Sequence, residues 1–305
     1  RWNSWRNESG IKIKRTRHKT QKPKLMEILK LINNGSKQLK DKNIYSHKLD
    51  SEILLSEALN QTREKILINL NKKIEPQKIS DFYRFIERRS SKEPIAYILK
   101  KKEFWSKSFL VDHNTLIPRP ETELMVEKIV KIFKTKDIFV LDIGTGTGCI
   151  LLSILSELKN SKGIGIDISS KTIQIANANS KKHKLTQRTK FYKRSLDEIY
   201  HNKFDLIVSN PPYIMRKDIK NLNEDIRKFE PKLALDGGND GLDVIKKVIY
   251  KSKSILKVKG MLALEIGNEQ YKKVSKILTS NKFKIRFTVK DYKDNVRCIL
   301  STLKA

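Results

Sequence analysis

The chain has 305 residues, 38% of them apolar, which suffices for a full α/β domain and a smaller companion. No stretch approaches the ~20 consecutive apolar residues of a membrane-spanning helix. Only two cysteines, Cys149 and Cys298, exclude a disulfide framework and point to the reducing cytoplasm.

Sixty-five Lys and Arg against 34 Asp and Glu give a net charge of +31. Such a charge would attract RNA or another acidic partner. Beyond the first residues, however, the lysines are dispersed over the chain, and a compositional bias toward Lys, Ile and Asn explains them as well. The five histidines are scattered with none at metal-ligand spacing, so no metal is expected.

Residues 1–22 are basic, with Arg15, Arg17, His18 and Lys19 clustered and no apolar period. They read as a disordered tail, or as sequence ahead of the true start because the chain opens on Arg. No apolar core follows the charges, so this is not a secretory signal.

Over 23–91 the apolar period is helical. Leu25, Ile28, Leu29 and Ile32 form one stripe, Leu49, Ile53, Leu54 and Ala58 a second, and Ile79, Phe82, Phe85 and Ile86 a third that follows Pro76. A small helical domain is predicted. Over 92–120 short β-like pieces at Ile95–Leu99, Glu103–Trp105 and Ser108–Val111 predict a hairpin linker.

From 121 to 305 a helix with Leu124, Val126, Ile129, Val130 and Phe133 leads into alternating strands and helices. The strands are predicted at 138–143, 163–168, 189–193, 204–209, 261–266, 284–289 and 297–303. The intervening helices are predicted at 149–158, 170–183, 242–256 and 269–279. This alternation argues an α/β doubly wound sheet.

The first of these strands ends in Asp142, Ile143, Gly144, Thr145, Gly146, Thr147 and Gly148. Glycines let a loop approach a ligand closely, and the following helix start turns N–H groups toward it. A dinucleotide fingerprint would need a third glycine at position 149, which is Cys149. The carboxylate just before the loop disfavours a pyrophosphate and favours a ligand with cationic groups. S-adenosylmethionine, with its sulfonium and ammonium, fits. Asp167 at the tip of the next strand suits two ribose hydroxyls, with a place beside a helix N-cap as the plainer alternative.

Asn210, Pro211, Pro212 and Tyr213 follow the apolar run Leu206, Ile207 and Val208. Two prolines remove two N–H donors and stop the strand in a rigid turn. The Asn210 side-chain oxygen and the Pro211 carbonyl can each accept one N–H of a planar –NH2 group, while Tyr213 packs against its flat face. With the cofactor loop this predicts methyl transfer to an amino nitrogen, needing neither a metal nor a strong base.

Several further blocks stand in order along the chain. They are Glu93-Pro94-Ile95-Ala96, Glu103-Phe104-Trp105, Leu116 to Glu123, Phe229-Glu230-Pro231, Gly237 to Leu242, Asp291-Tyr292 and Asp294-Asn295. With the two motifs above, they make the chain from about Leu25 to Leu303 resemble the peptide chain release factor glutamine methyltransferases (the PrmC/HemK type).

The resemblance implies a class I, Rossmann-like methyltransferase domain over 121–305 with an antiparallel last strand, and a substrate-docking role for the helical segment. It implies methylation of the side-chain amide nitrogen of the glutamine in a release factor's Gly-Gly-Gln loop; a monomer is the default expectation, and nucleic acid is not required although the basic surface could contact it. By the same likeness Asn210 and Pro211 hold the substrate amide, with Pro212 and Tyr213 lining its slot. Pro118, Arg119, Pro120 and Glu121 form part of the entrance, where the local alternative is a proline turn into a helix. The cofactor would meet Asp142, Gly144, Thr145, Gly146 and Gly148, then Asp167 and Ile168, then Ser195, with Asn210 beside its reacting end.

Ser195 stands where the family usually has an acid for the adenine amino group. Lys100–Lys102 occupies a hairpin position that usually holds Gly. A sibling family that methylates a ribosomal protein glutamine has Pro-Arg-Ser-Pro in place of Pro118-Arg119-Pro120-Glu121. DNA adenine methyltransferases share the Asn210–Tyr213 step but normally add a target-recognition segment.

Overall fold

The computed structural model describes residues 25–200 and 203–304 and divides into two compact units, 1–87 and 88–305. The basic segment 1–22 lies outside the described residues. In the first unit β1 (Met26–Glu27) leads into α1 (Ile28–Asp41), α2 (His47–Leu59) and α3 (Arg63–Ile68). Next, β2 (Lys73–Ile74) pairs antiparallel with β1, and α4 (Pro76–Ser90) follows. Pro76 is the first residue of α4, where a missing N–H costs no helical bond.

The core of this unit is built on Ile28, Leu31, Ile32 and Leu39 of α1, Leu54, Leu55 and Ala58 of α2, and Ile79, Phe82 and Ile86 of α4. Leu25, Leu29 and Leu49, expected inside, are exposed. Helix α1 starts only at Ile28, so its buried stripe runs through 28, 31, 32, 35 and 39 and leaves Leu29 facing solvent. In α2 the inward stripe passes through Ser51, Leu54, Leu55 and Ala58, which turns Leu49 out.

The second unit opens with α5 (Ile95–Leu99), then the hairpin of β3 (Lys101–Phe104) and β4 (Lys107–Leu110). Ile95–Leu99, predicted as β-like, is helical. Its apolar residues are too few for periodicity to decide, and tertiary contacts decide instead. The Arg88 guanidinium donates to the Tyr97 and Ile98 carbonyls, which a helix end leaves without partners. Ala96, Tyr97 and Ile98 are buried. Lys100, where a glycine was expected, adopts the left-handed conformation (φ 55°) that ends α5 and releases the hairpin.

The remaining elements are α6 (Pro120–Phe133), β5 (Phe139–Ile143), α7 (Cys149–Glu157), β6 (Lys162–Asp167), α8 (Ser170–Lys182), β7 (Thr189–Lys193) and β8 (Phe204–Ser209). After them come α9 (Glu224–Phe229), α10 (Asp243–Ile255), β9 (Leu256–Glu265), α11 (Tyr271–Ser280), β10 (Phe283–Lys290) and β11 (Val296–Leu303). Seven strands form one sheet in the order β10-β11-β9-β8-β5-β6-β7. The pairs from β9 through β7 are parallel, and β11 runs antiparallel to both its neighbours. This is the class I methyltransferase sheet with its reversed last strand.

Alternate residues of a strand face opposite sides of the sheet. Leu206 and Val208 of β8 accordingly join a core with α6, α7 and α8, while Ile207 joins another with α10 and α11, as does Phe204 across an irregularity in the register between Phe204 and Leu206. The chain winds from β5 outward to β7, then returns to place β8 on the other side of β5. That reversal sets the carboxyl ends of β5 and β8 side by side, with Ile143 paired to Ser209.

Gly35 lies in the middle of α1, where Ala would ordinarily favour the helix by up to about 1 kcal/mol. A Cβ there would fall 2.6 Å from the Phe82 ring and 2.6 Å from the Ser51 hydroxyl, both on fully buried side chains. Overpacking of this kind typically costs about 1–3 kcal/mol and outweighs the propensity gain. Gly35→Ala is therefore expected to lower the denaturant midpoint of the chain, and an unchanged or raised midpoint would contradict this packing.

Candidate active site

Two loops leave the adjacent ends of β5 and β8. In the first, the Gly144 and Thr145 N–H groups both donate to the Ile166 carbonyl at 3.0 Å, folding the loop back over β6. Gly144 and Gly146 have φ of 68° and 55°, and a Cβ on either would meet nothing within 4 Å. They form an open cradle. Beneath it Asp142 is fully buried; its Oδ2 accepts from the Thr145 hydroxyl at 2.7 Å, and its Oδ1 has no partner among the described residues. Burial pushes the Asp142 carboxyl up to about 7. At the tip of β6, Asp167 accepts from the Gly146 N–H at 3.2 Å and from the Ser169 N–H at 3.0 Å, and burial raises its pKa also.

The cradle opens into a cavity of about 470 Å³, within the range of small-molecule sites. Gly144, Gly146, Asp167, Ile168, Ser195 and Asn210 line it. Ser195 caps the short turn Leu196–Glu198, its hydroxyl accepting from the Asp197 N–H, and Leu196 and Asp197 also reach the cavity wall. A buried carboxyl with an unpartnered oxygen beneath a glycine cradle fits the sulfonium and ammonium of S-adenosylmethionine.

The second loop is the Asn210–Tyr213 turn. It borders a slot of about 140 Å³ lined by Arg119, Asn210, Pro211, Pro212 and Tyr213 among others. The slot and the larger cavity share Leu116, Asn210, Pro212 and Ala234, so the two spaces meet at this turn. The turn is held from several sides. Gln270 donates to the Tyr213 and Gly241 carbonyls at 3.1 and 3.2 Å. A Cβ at Gly237 would lie 2.8 Å from the Pro212 carbonyl oxygen and from Tyr213 Cα, so only glycine lets this segment come so close.

Arg297 donates to the Tyr213 hydroxyl at 3.1 Å. Thr122 donates to the buried Glu265 carboxyl at 2.6 Å, and Asn210 Nδ2 donates to the Thr122 hydroxyl oxygen at 3.4 Å. Burial pushes Glu265 up to about 7, offset in part by the Thr122 hydroxyl, the Arg297 charge and the Asn210 amide. Arg119 forms an ion pair with the buried Glu230, which also accepts from the Ile117 N–H at 3.3 Å.

Other expected site residues stand back from both spaces. Asp142 and Thr145 lie beneath the cradle. Gly148 starts α7, and a Cβ there would meet Leu152 and Phe191 at 3.2 Å, so its smallness serves packing. Pro118 is buried and Glu121 exposed, and neither lines the cavity or the slot. Thr122, Glu265, Arg297 and Gln270 were not singled out from the sequence, nor were the walls from Pro231, Leu233, Ala234, Val244 and Val248. One signal was available for Glu265: an acid closing the apolar run Met261 to Leu264 is costly unless it has a task.

The chain is similar to known proteins along most of its length. Residues 30–99 match the PrmC N-terminal domain, and residues 134–296 match a methyltransferase domain. The release factor glutamine methyltransferase of Buchnera aphidicola subsp. Baizongia pistaciae is 39% identical over 273 residues, covering 89% of this chain and 98% of that protein. That of Caulobacter vibrioides is 34% identical over 277 residues, covering 90% and 96%.

The bifunctional methyltransferase of Rickettsia prowazekii is 34% identical over 292 residues, and the match spans 89% of this chain but only 56% of that protein's length. Among solved structures the hMettl16 catalytic domain superposes with a TM-score of 0.55 at 15% identity, over 72% of this chain and 82% of that one, a likeness of fold. On these matches, with the cradle and the proline turn at adjacent strand ends, the chain belongs to the release factor glutamine methyltransferase family.

Proposed function

We propose that this chain transfers a methyl group from S-adenosylmethionine to the side-chain amide nitrogen (N5) of the glutamine in the Gly-Gly-Gln loop of a peptide chain release factor. The observation that carries this reading is the meeting of a cofactor-sized cavity and a narrow slot at Asn210 and Pro212. When bound, S-adenosylmethionine supplies an electrophilic methyl carbon. Asp142 would balance its positive charge from beneath the cradle, Gly144 and Gly146 would admit it closely, and Asp167 would accept from its ribose. Ile168 and Ser195 would border its adenosine part.

In the slot, the Asn210 Oδ1 and Pro211 carbonyl accept the two hydrogens of the substrate carboxamide and fix its plane. As the nitrogen lone pair leaves conjugation, positive charge gathers on –NH2, and both acceptors bind it more strongly than in the ground state. Tyr213, held by Arg297, packs beside the group. Arg119, paired with Glu230, stands at the slot wall, with Pro118 and Glu121 in the segment that leads to it. The helical segment 24–91 is the proposed docking element for the release factor. The proposed setting is a cytoplasmic monomer that needs no nucleic acid; among the described residues no helix is long and apolar enough to cross a membrane.

Incubation with tritiated S-adenosylmethionine and purified release factor is expected to label the factor, and Gln→Ala in its Gly-Gly-Gln loop should abolish the label. Labelling of a ribosomal protein or of DNA instead would overturn the reading. Asn210→Ala is expected to lower turnover by about 100-fold or more with little change in cofactor affinity, because the lost acceptor acts mainly in the transition state. Single-turnover rates together with calorimetric cofactor titration separate the two effects.

The raised Glu265 pKa also sets a pH dependence of stability. Its neutral form is favoured in the folded chain, so the stability it contributes is full below about pH 4 and is lost as pH rises through about 7. Without cofactor, Glu265→Gln should therefore exceed the parent chain in urea stability at pH 8 and match it near pH 5. A gap that stays constant across this range would contradict the assignment.

A further inference from the structure

An Asn amide can present either its oxygen or its nitrogen to a substrate, and the mechanism above works only with the oxygen forward. We propose that Thr122 and Glu265 are positioning residues that lock the Asn210 side chain with Oδ1 toward the substrate amide, and so set the rate of methyl transfer; this rests on the proposed function of the Asn210 turn.

With Glu265 ionised, its carboxylate can only accept, and the single hydrogen of the Thr122 hydroxyl is committed to Glu265 Oε2 at 2.6 Å. Toward Asn210 the hydroxyl can then offer only a lone pair, so the amide must turn an N–H to it. The Asn210 Nδ2 does so at 3.4 Å. Among the described residues no group donates to Asn210 Oδ1, and Asn210 lines both the cavity and the slot. The acceptor end of the amide is therefore left for a ligand.

The three residues come from separate parts of the fold: Thr122 from the first turn of α6, Asn210 from the end of β8, and Glu265 from the last position of β9. Stability alone does not call for this arrangement. Glu265 follows Leu262, Ala263 and Leu264, all fully buried, and its Oε1 has no partner among the described residues. A buried carboxyl with an orphan oxygen weakens a fold. An apolar residue of similar size would pack there at less cost, but could not set the direction of the Thr122 hydroxyl. In its ionised form the same carboxyl places negative charge behind an amide whose oxygen receives a hydrogen from a nitrogen growing positive. That strengthens the acceptor when it is most needed.

The test uses Thr122→Val, Thr122→Ser and Asn210→Ala in the full chain, alone and combined, with cofactor affinity measured by calorimetry and methyl transfer by single turnover on purified release factor. Thr122→Val, isosteric but without the hydroxyl, is expected to slow transfer by about 10- to 100-fold. Cofactor affinity should stay within about threefold and the melting temperature should remain cooperative. Thr122→Ser, which keeps the hydroxyl, should recover most of the rate.

Adding Thr122→Val to Asn210→Ala should cost little more, since no amide remains to be oriented. A full further loss in that background, or a Thr122→Val defect confined to cofactor or substrate affinity, would overturn the proposal while leaving the Asn210 role intact. Near-normal transfer by Asn210→Ala alone would instead overturn the underlying reading of the turn.

Discussion

The pairing of Ile143 with Ser209 at the carboxyl ends of β5 and β8 is the constraint on which the site depends. Both strands lie at the centre of the seven-stranded sheet, with apolar layers on each face. Their register is fixed because a one-residue slip would turn Leu206 and Val208 into the wrong layer. The next residue of one strand is Gly144, and of the other Asn210. The glycine cradle and the Asn210 turn are thus brought together by backbone hydrogen bonding at the centre of the sheet.

The second loop needs more support than the first. The glycine loop is anchored locally, by two N–H bonds to the Ile166 carbonyl and one to Asp167. The proline turn has fewer N–H groups of its own to use, and its support comes from residues distant in sequence. Gly237 allows the close approach of a neighbouring backbone, Gln270 ties the Tyr213 carbonyl, Arg297 ties the Tyr213 hydroxyl, and Thr122 ties the Asn210 amide. Rigidity of this kind is useful where two acceptors must meet two hydrogens of one planar group.

Electrostatically the site holds two buried carboxyls, Asp142 bonded to Thr145 in the glycine loop and Glu265 bonded to Thr122 beside the Asn210 turn. Each is pushed up to about 7 by burial. Each also keeps one oxygen without a partner among the described residues. In the proposed reaction Asp142 would lie under the cationic cofactor, and Glu265 behind the amide that receives a nitrogen turning cationic. Both weaken the empty chain and suit a reaction that moves positive charge.

The sequence alone determined the strands of the sheet, to within a residue or two at most ends, because period-2 apolar runs and glycine or proline punctuation are local signals. It determined the two motif loops for the same reason: a glycine cradle and a double-proline turn are written in consecutive residues. What it could not decide were features whose cause is distant. Ile95–Leu99 is helical because Arg88 satisfies its last carbonyls. The buried stripe of α1 follows from where that helix starts.

Asp142 and Thr145 are buried behind the cradle, and Gly148 caps α7 against Leu152 and Phe191, placements that the order of the loop residues does not reveal. Thr122, although next to Glu121 in one of the ordered blocks, and Glu265, Gln270 and Arg297 carry no local signal of a link to Asn210, for they are separated from it by tens of residues. Only the winding of the sheet, which sets the ends of β8 and β9 and the start of α6 around one point, makes them a single structure.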